Sequence, residues 1–339
     1  MAVAATNNAP NDITREKLKR EFIERNGYGS FDVVNLPADA SFRTYARLIK
    51  GEESFILMDS PPEHYNLEPF VKIGTHLLNA GFSAPKLFEQ DHENGFMILE
   101  DLGTVSVNNL LSSDGSKETE ELIYKKIIRL LIQIQETPAP KGLSLYTKEL
   151  LIKEAEIFLD WFLPILHGEA TAYDLKEEYS YLWNKIFNSI DLKEECLTLR
   201  DFHVDNLMYM EERNNLNQIG LLDFQDALIG SPAYDLVSLV EDARRDIDAT
   251  LASELINYYL SLIPAYNRKD FLAQYSILGA QRNIRILGVF ARKATRDKNS
   301  RYLSFVPRVR KHLDKDLTHP LLAPLKDWLN KVAPQQKFL

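Results

Sequence analysis

Three polar residues in the second half of the chain have types and spacing that fit one reaction. Asp201 and Asn206 are separated by four residues in Leu199-Arg200-Asp201-Phe202-His203-Val204-Asp205-Asn206. Asp223 follows seventeen residues after Asn206 and closes the apolar run Ile219-Gly220-Leu221-Leu222. A loop carboxylate, a loop amide and a carboxylate at the end of a buried strand are the groups that phosphoryl transfer from a nucleotide uses. Asp201 would accept the proton of the acceptor hydroxyl, Asn206 would hold one magnesium ion, and Asp223 would hold magnesium bridging the nucleotide phosphates. The protein's part in that reaction is mostly positioning and charge neutralisation, so these groups at fixed loop positions suffice. The implied cofactors are ATP and Mg2+.

Each residue has a plainer reading. Asp and Asn are common in turns, and Asp201 and Asn206 alone would not separate catalysis from a turn. Asp223, placed after a strand, tips the balance toward catalysis. His203 introduces a second alternative, because an Asp followed two positions later by a His also opens some dinuclear metal-hydrolase sites. Such a site needs further ligands, and the other histidines (His64, His76, His92, His167, His312, His319) form no ligand-spaced pair. His203 is therefore read as a loop-shaping or substrate-facing residue. Asp205 is read as a loop-solvating group or an Arg partner, with a substrate role left open.

These residues need elements to hold them. A first helix is expected from about Asp12 or Thr14 to Arg25, stopped by Asn26-Gly27. Strands follow over 31–36, 42–49 and 54–58, then a helix over 67–79 and two more strands over 86–90 and 96–99. After Gly103 the pattern turns helical, over 118–136, 146–163 and 171–190. It is interrupted by one hairpin, 207–210 with 219–222, and resumes over 234–243, 248–262, 268–296, 302–314 and 321–332. The expected fold is α+β: a bilobal, protein-kinase-like arrangement with nucleotide at the seam. Its expected divisions are a disordered tail over 1–12, a nucleotide-covering N-lobe over 13–103, and a catalytic and acceptor-binding C-lobe over 104–339.

The nucleotide-covering turn, Asp39-Ala40-Ser41, is not glycine-rich, but its backbone amides and the Ser41 hydroxyl could face phosphate. Nucleotide-binding lobes of this kind often carry a strand Lys that pairs with the α/β-phosphates. Here the corresponding run, Phe55-Ile56-Leu57-Met58-Asp59, has none. Arg43 is the candidate replacement, since a guanidinium can meet phosphate oxygens bidentately. A hairpin turn with an exposed Arg is the plainer reading. Glu68, at a helix start, is read first as favouring the helix dipole.

Together, Arg200-Asp201-Phe202-His203-Val204-Asp205-Asn206-Leu207, Leu222-Asp223-Phe224-Gln225-Asp226 and Ser231-Pro232-Ala233-Tyr234-Asp235-Leu236 resemble the aminoglycoside-phosphotransferase-like (choline-kinase-like) superfamily. Further segments resemble its bacterial branch of anomeric kinases for N-acetylmuramate and N-acetylglucosamine. These are Asp39-Ala40-Ser41-Phe42-Arg43-Thr44-Tyr45, Leu57-Met58-Asp59-Ser60-Pro61-Pro62, Leu99-Glu100-Asp101-Leu102-Gly103 and Gln281-Arg282-Asn283-Ile284-Arg285-Ile286-Leu287-Gly288. The resemblance covers about residues 14–330. It implies transfer of the ATP γ-phosphate to a sugar's anomeric hydroxyl in cell-wall sugar recycling. It also implies that Glu100 and Leu102 offer backbone groups to the adenine edge. Leu199 departs from the His that often opens the catalytic loop; Asp201 itself is retained.

Other residues stay open between two readings. Arg282, Arg285 and Arg292 share roughly one helix face, either a solvated face or an anion site for the acceptor, for example a lactyl carboxylate. Trp161 and Phe162 are core or a sugar-stacking face. Tyr234 and Asp235 begin a helix, with Asp235 read as a structural tie to the catalytic loop. Cys196 is a small buried hydrophobe.

The composition narrows the partners. Hydrophobic residues make up 45% and charged residues 26%, ordinary for a globular chain that can bury a sizeable core. The net charge of −9 argues against a nucleic-acid partner. No apolar run is long enough to span a bilayer, the first twelve residues lack a signal-peptide core, and a single Cys fits a reducing compartment. The expected location is cytoplasmic and the expected partner a small-molecule acceptor; nothing points to a protein partner. Competing readings are another small alcohol as acceptor (aminoglycoside, choline or homoserine-like), or a catalytically silent nucleotide-binding scaffold. Ser231-Pro232-Ala233-Tyr234-Asp235 follows Asp223 too soon for a protein kinase's long activation loop.

Overall fold

The computed structural model describes residues 9–37 and 42–334. The first helix, α1 (Ala9–Arg25), starts ahead of the expected Asp12, so 9–12 are helical rather than part of a tail. Residues 1–8 of that expected tail, and the Asp39-Ala40-Ser41 turn, lie outside the described residues.

Five strands follow in one antiparallel sheet: β1 (Asp32–Asn35), β2 (Thr44–Lys50), β3 (Glu53–Asp59), β4 (Leu87–Asp91) and β5 (Phe96–Glu100), in the order β1-β2-β3-β5-β4. Alternation along the strands gives the sheet two buried faces. Leu57, Ala46, Leu48 and Ile98 point to one side and meet Phe22 and Ile23 of α1. Met58, Met97 and Leu99 point to the other and join the main core with Phe70, Ile73 and Leu77 of α2 (Glu68–Asn79). Asp59, at the end of β3, is held by Arg15 of α1 at 2.5 Å and by Lys19 at 3.2 Å. The strand position next to the missing Lys is thus committed to anchoring a helix.

The rest is largely helical. α3 (Val107–Asp114) was not foreseen, although its limits carry ordinary caps. Ser106 accepts the N–H of Asn109, and Gly115 closes the helix at φ 65°. α4 (Lys117–Glu136), α5 (Lys148–Ala155), α6 (Leu163–His167) and α7 (Tyr173–Phe187) follow, with a π-helical turn at Phe158–Phe162. Phe162 is buried and Trp161 packs against the core, the plainer of their two readings.

Four short strands then frame the segment 199–206. β6 (Cys196–Thr198) pairs with β9 (Leu228–Gly230), and β7 (Leu207–Tyr209) pairs with β8 (Ile219–Leu221). β6 and β9 were not foreseen: they are three residues each and, unlike the equally short β7 and β8, no single turn joins them. α8 (Pro232–Val240), α9 (Ala249–Leu262), α10 (Arg268–Thr295), α11 (Val306–Asp316) and α12 (Ala323–Val332) complete the chain. α10 is buried along most of its 28 residues. Gly288 lets it approach the π-helical turn: a Cβ there would lie 2.6 Å from the Ile157 backbone carbon.

Candidate active site

The segment 199–206 runs from β6 to β7, and Asp223 follows β8, so two neighbouring hairpin strands bring all three predicted residues to one place. Asn206 ties them. Its Nδ2 donates to the Asp201 carbonyl at 3.0 Å and lies 3.5 Å from Asp223 Oδ2, while the Asn206 carbonyl accepts the N–H of Leu222 at 2.9 Å. With Nδ2 turned to the loop, Oδ1 is left as the outward donor atom. Gln225 fixes the other Asp223 oxygen at 2.8 Å.

Two residues here adopt left-handed backbone: Arg200 at φ 72° and Asp223 at φ 57°. That conformation costs non-glycine residues on the order of 1 kcal/mol or more, so the surroundings must enforce it. For Arg200 they do. The buried Asp235 carboxylate accepts the N–H of Leu199 at 2.6 Å and of Arg200 at 2.8 Å. The Arg200 side chain pairs with Glu154 at 2.5 Å and lies over the Tyr146 ring at 4.8 Å. Asp235 thus ties the loop through backbone amides rather than through the Arg200 side chain.

The electrostatics divide the two aspartates. Burial would raise Asp201, but the charges of Arg285, Arg282 and Arg200 outweigh it and hold the carboxyl below the ordinary range. Asp223 moves the other way: burial and the neighbouring Asp201 charge push it up, against Gln225 and Arg43. A neutral amide oxygen, Asn206 Oδ1, beside the Asp223 carboxylate makes a pair of oxygen donors that fits a hard divalent cation such as magnesium.

His203 is 3% exposed and receives an N–H of Arg244 at Nε2, 3.0 Å away. Burial and the Arg244 charge push it down to about 3, so the ring is neutral and accepts at Nε2. Asp205 lies 3.4 Å from Arg244 and accepts from Asn108 at 2.7 Å, an Arg partner as one of its readings had it.

Arg43 is 9% exposed, which sets aside the plainer reading of an exposed hairpin Arg. Its Nε reaches Ser60 Oγ at 3.3 Å, its guanidinium lies over the Tyr65 ring at 4.7 Å, and its charge acts on Asp223 from the sheet side of the cleft. Ser41 lies outside the described residues. Glu100 spends its side chain on Arg213 at 2.6 Å and its N–H on the Lys86 carbonyl at 2.8 Å. Leu102 packs its side chain over Gly220, where a Cβ would come within 2.8 Å of Leu102 Cδ1. Its N–H and carbonyl take no partner among the described residues.

The arginines of α10 do not form a solvated face. Arg282 is 4% exposed and donates to Ser238 at 2.8 Å, and Arg285 pairs with Glu154 at 3.2 Å. Glu154 therefore bridges Arg200 and Arg285, and it also accepts the Tyr146 hydroxyl at 2.6 Å. Sequence reasoning passed over Glu154, Asn108 and Arg244. Glu154 and Arg244 offered only a charge and Asn108 only an amide, on segments with no recognisable motif.

Residues 32–272 match the phosphotransferase enzyme family. The chain is 34% identical to an N-acetylmuramate/N-acetylglucosamine kinase of Caulobacter vibrioides, over 94% of this chain and 97% of that protein. It is 31% identical to one of the same name from Pseudomonas aeruginosa, over 88% of each. Among solved structures it superposes on choline kinase LicA from Streptococcus pneumoniae with a TM-score of 0.62 at 14% identity, over 89% of this chain and 99% of that one. LicA has also been solved in complex with AMP. At that identity the likeness speaks of fold.

Proposed function

The chain belongs to the phosphotransferase enzyme family, and from that premise we propose that it transfers the γ-phosphate of ATP to the anomeric hydroxyl of an amino sugar, N-acetylmuramate or N-acetylglucosamine. The observation that carries the reading is the meeting of Asp201, Asn206 and Asp223 at one place, with the Arg43 charge acting on Asp223. The names of the relatives supply the acceptor class.

In this reading Asp201, ionised because the surrounding arginines favour its charged form, accepts the proton of the attacking hydroxyl. An anomeric hydroxyl is more acidic than an ordinary alcohol, so orientation by Asp201 supplies much of what the step needs. Asn206 and Asp223 would hold magnesium, which when bound neutralises charge on the phosphates. Arg43 takes the part of the absent strand Lys, and the unpartnered backbone of Leu102 faces the adenine edge. Nucleotide sits between a strand-rich lobe over 13–103 and a helical lobe over 104–339. His203 shapes the loop, and Arg282 and Arg285 hold the field around Asp201. Cellular ATP places the enzyme in the cytoplasm; no described helix is long and apolar enough to cross a membrane.

The test is ADP release with ATP and Mg2+ on N-acetylmuramate, N-acetylglucosamine, choline and kanamycin, with the sugar product assayed for its reducing end. Turnover of an amino sugar with loss of the reducing end is expected. Turnover confined to choline or kanamycin, or a product that keeps its reducing end, would contradict the proposal.

A further inference from the structure

The two sugars in the proposed reading differ by one ionised group. N-acetylmuramate carries a lactyl ether on C3, ending in a carboxylate; N-acetylglucosamine has a hydroxyl there. When the C1 hydroxyl meets Asp201, C3 is two ring carbons away, so the carboxylate falls beside the residues that border the catalytic loop. A carboxylate that enters a site needs an accessible cation.

Five arginines lie on or near the segment that carries Asp201 and His203, and three of them are held by the carboxylates of Glu154 and Glu120. Arg200 and Arg285 share Glu154. Arg245 holds Glu120 at 2.6 Å and also reaches Asn108 and Ser112. Arg282 donates one Nη to Ser238 of α8 and leaves Nε and Nη1 without a partner among the described residues, but at 4% exposed it is out of reach of an entering carboxylate. Arg244 is different. Its side chain is 28% exposed, and its ion pair with Asp205, at 3.4 Å, is longer than those of Arg200 and Arg245. Its Nη1 is fixed by the neutral His203, and its backbone N–H is fixed by Asp242 at 2.8 Å. Its Nη2 has no partner among the described residues.

Resting on the amino-sugar reading, we infer that Arg244 is the specificity-determining residue of the acceptor site and that it binds the lactyl carboxylate of N-acetylmuramate. The arrangement suits the task. His203 and Asp205 pre-orient the guanidinium, and Asp242 fixes the backbone that carries it, at little entropic cost. Asn108 holds Asp205 from the far side, so a substrate carboxylate can share Arg244 without displacing the loop. His203 also contacts Asn206 Nδ2, 3.3 Å away, which places the carboxylate site one residue from the catalytic and metal-binding groups.

The experiment compares kcat/KM for N-acetylmuramate, its lactyl methyl ester and N-acetylglucosamine in the wild type, Arg244→Gln and Arg244→Lys. The readout is the ratio of the acid to each neutral sugar, in which a general loss of activity cancels. Losing a charge-assisted contact of this kind lowers both ratios by about 10- to 100-fold in Arg244→Gln. Arg244→Lys, which keeps the charge and loses the fork, retains part of the preference. Ratios in Arg244→Gln that match the wild type overturn the assignment, as does a wild type that prefers the ester to the acid. A wild type that turns over none of the three sugars fails the amino-sugar reading itself, and the inference falls with it. Misfolding is separated from specificity by the residual N-acetylglucosamine rate and by a thermal melt of the same preparation.

Discussion

Asp235 accepts the backbone N–H of Arg200 at 2.8 Å, and so fixes the left-handed residue from which Asp201 emerges. The tie is made by a carboxyl that burial pushes up to about 7, against the two amides of Leu199 and Arg200 that favour its charge. Its protonation state therefore changes in the neutral range, and the catalytic loop feels it directly.

A proton on Asp235 puts a donor where one backbone amide already points. The rate constant kcat should fall as pH drops through about 7, and Asp235→Asn should lower kcat by about tenfold and remove that dependence. Stability runs the opposite way. Because the folded pKa is raised above the ordinary 3.8, the contribution is fully present below that value and is lost as pH rises through about 7. A kcat profile at saturating substrates, set beside melts over the same pH range, checks both signs. A profile of Asp235→Asn parallel to wild type would remove Asp235 from the account.

Arg43 stands where a strand Lys is missing. Arg43→Ala should raise KM for ATP by about tenfold or more, and Arg43→Lys should recover only part, because a point charge replaces a fork. Steady-state kinetics with ATP varied is the check. Unchanged KM and kcat in Arg43→Ala would mean that another cation meets the phosphates.

Gly74 of α2 lies under the ring that follows Asp223. A Cβ there would sit 3.2 Å from Phe224 Cζ and 3.3 Å from Cε2, and Phe70 already packs on that ring at 5.0 Å between centroids. In Gly74→Ala the crowding is offset by about 1 kcal/mol of helix propensity, so the melt should stay near wild type. Displacing Phe224 moves Asp223, so kcat should still fall several-fold. Gly74→Val should add a destabilisation of ~1–3 kcal/mol. Wild-type kcat in both variants would show that Phe224 does not set the position of Asp223.

What could be read from the sequence follows the physics of each feature. Asp201, Asn206 and Asp223 were legible because the chemistry itself sets their spacing along a loop and a strand end. The five-stranded sheet was legible because its strands are long enough to alternate. β6 and β9 were not: β7 and β8 are as short, but one polar turn joins them, whereas β6 and β9 pair across the whole of 199–227. The spacing of Arg282 and Arg285 gave a shared helix face but not its direction, which depends on α8 and Glu154 packing against α10. Arg244 and Glu154 meet the site only through tertiary packing, 41 and 46 residues from His203 and Arg200, and no local pattern encodes such contacts.

The central claim is that Asp201 takes the acceptor's proton. Its most direct test is single-turnover phosphorylation of N-acetylmuramate by Asp201→Asn, with ATP binding measured on the same sample. A rate lower by ~100- to ~10,000-fold is expected, with ATP affinity within a few-fold of wild type. A rate within a few-fold of wild type at unchanged ATP affinity would contradict it.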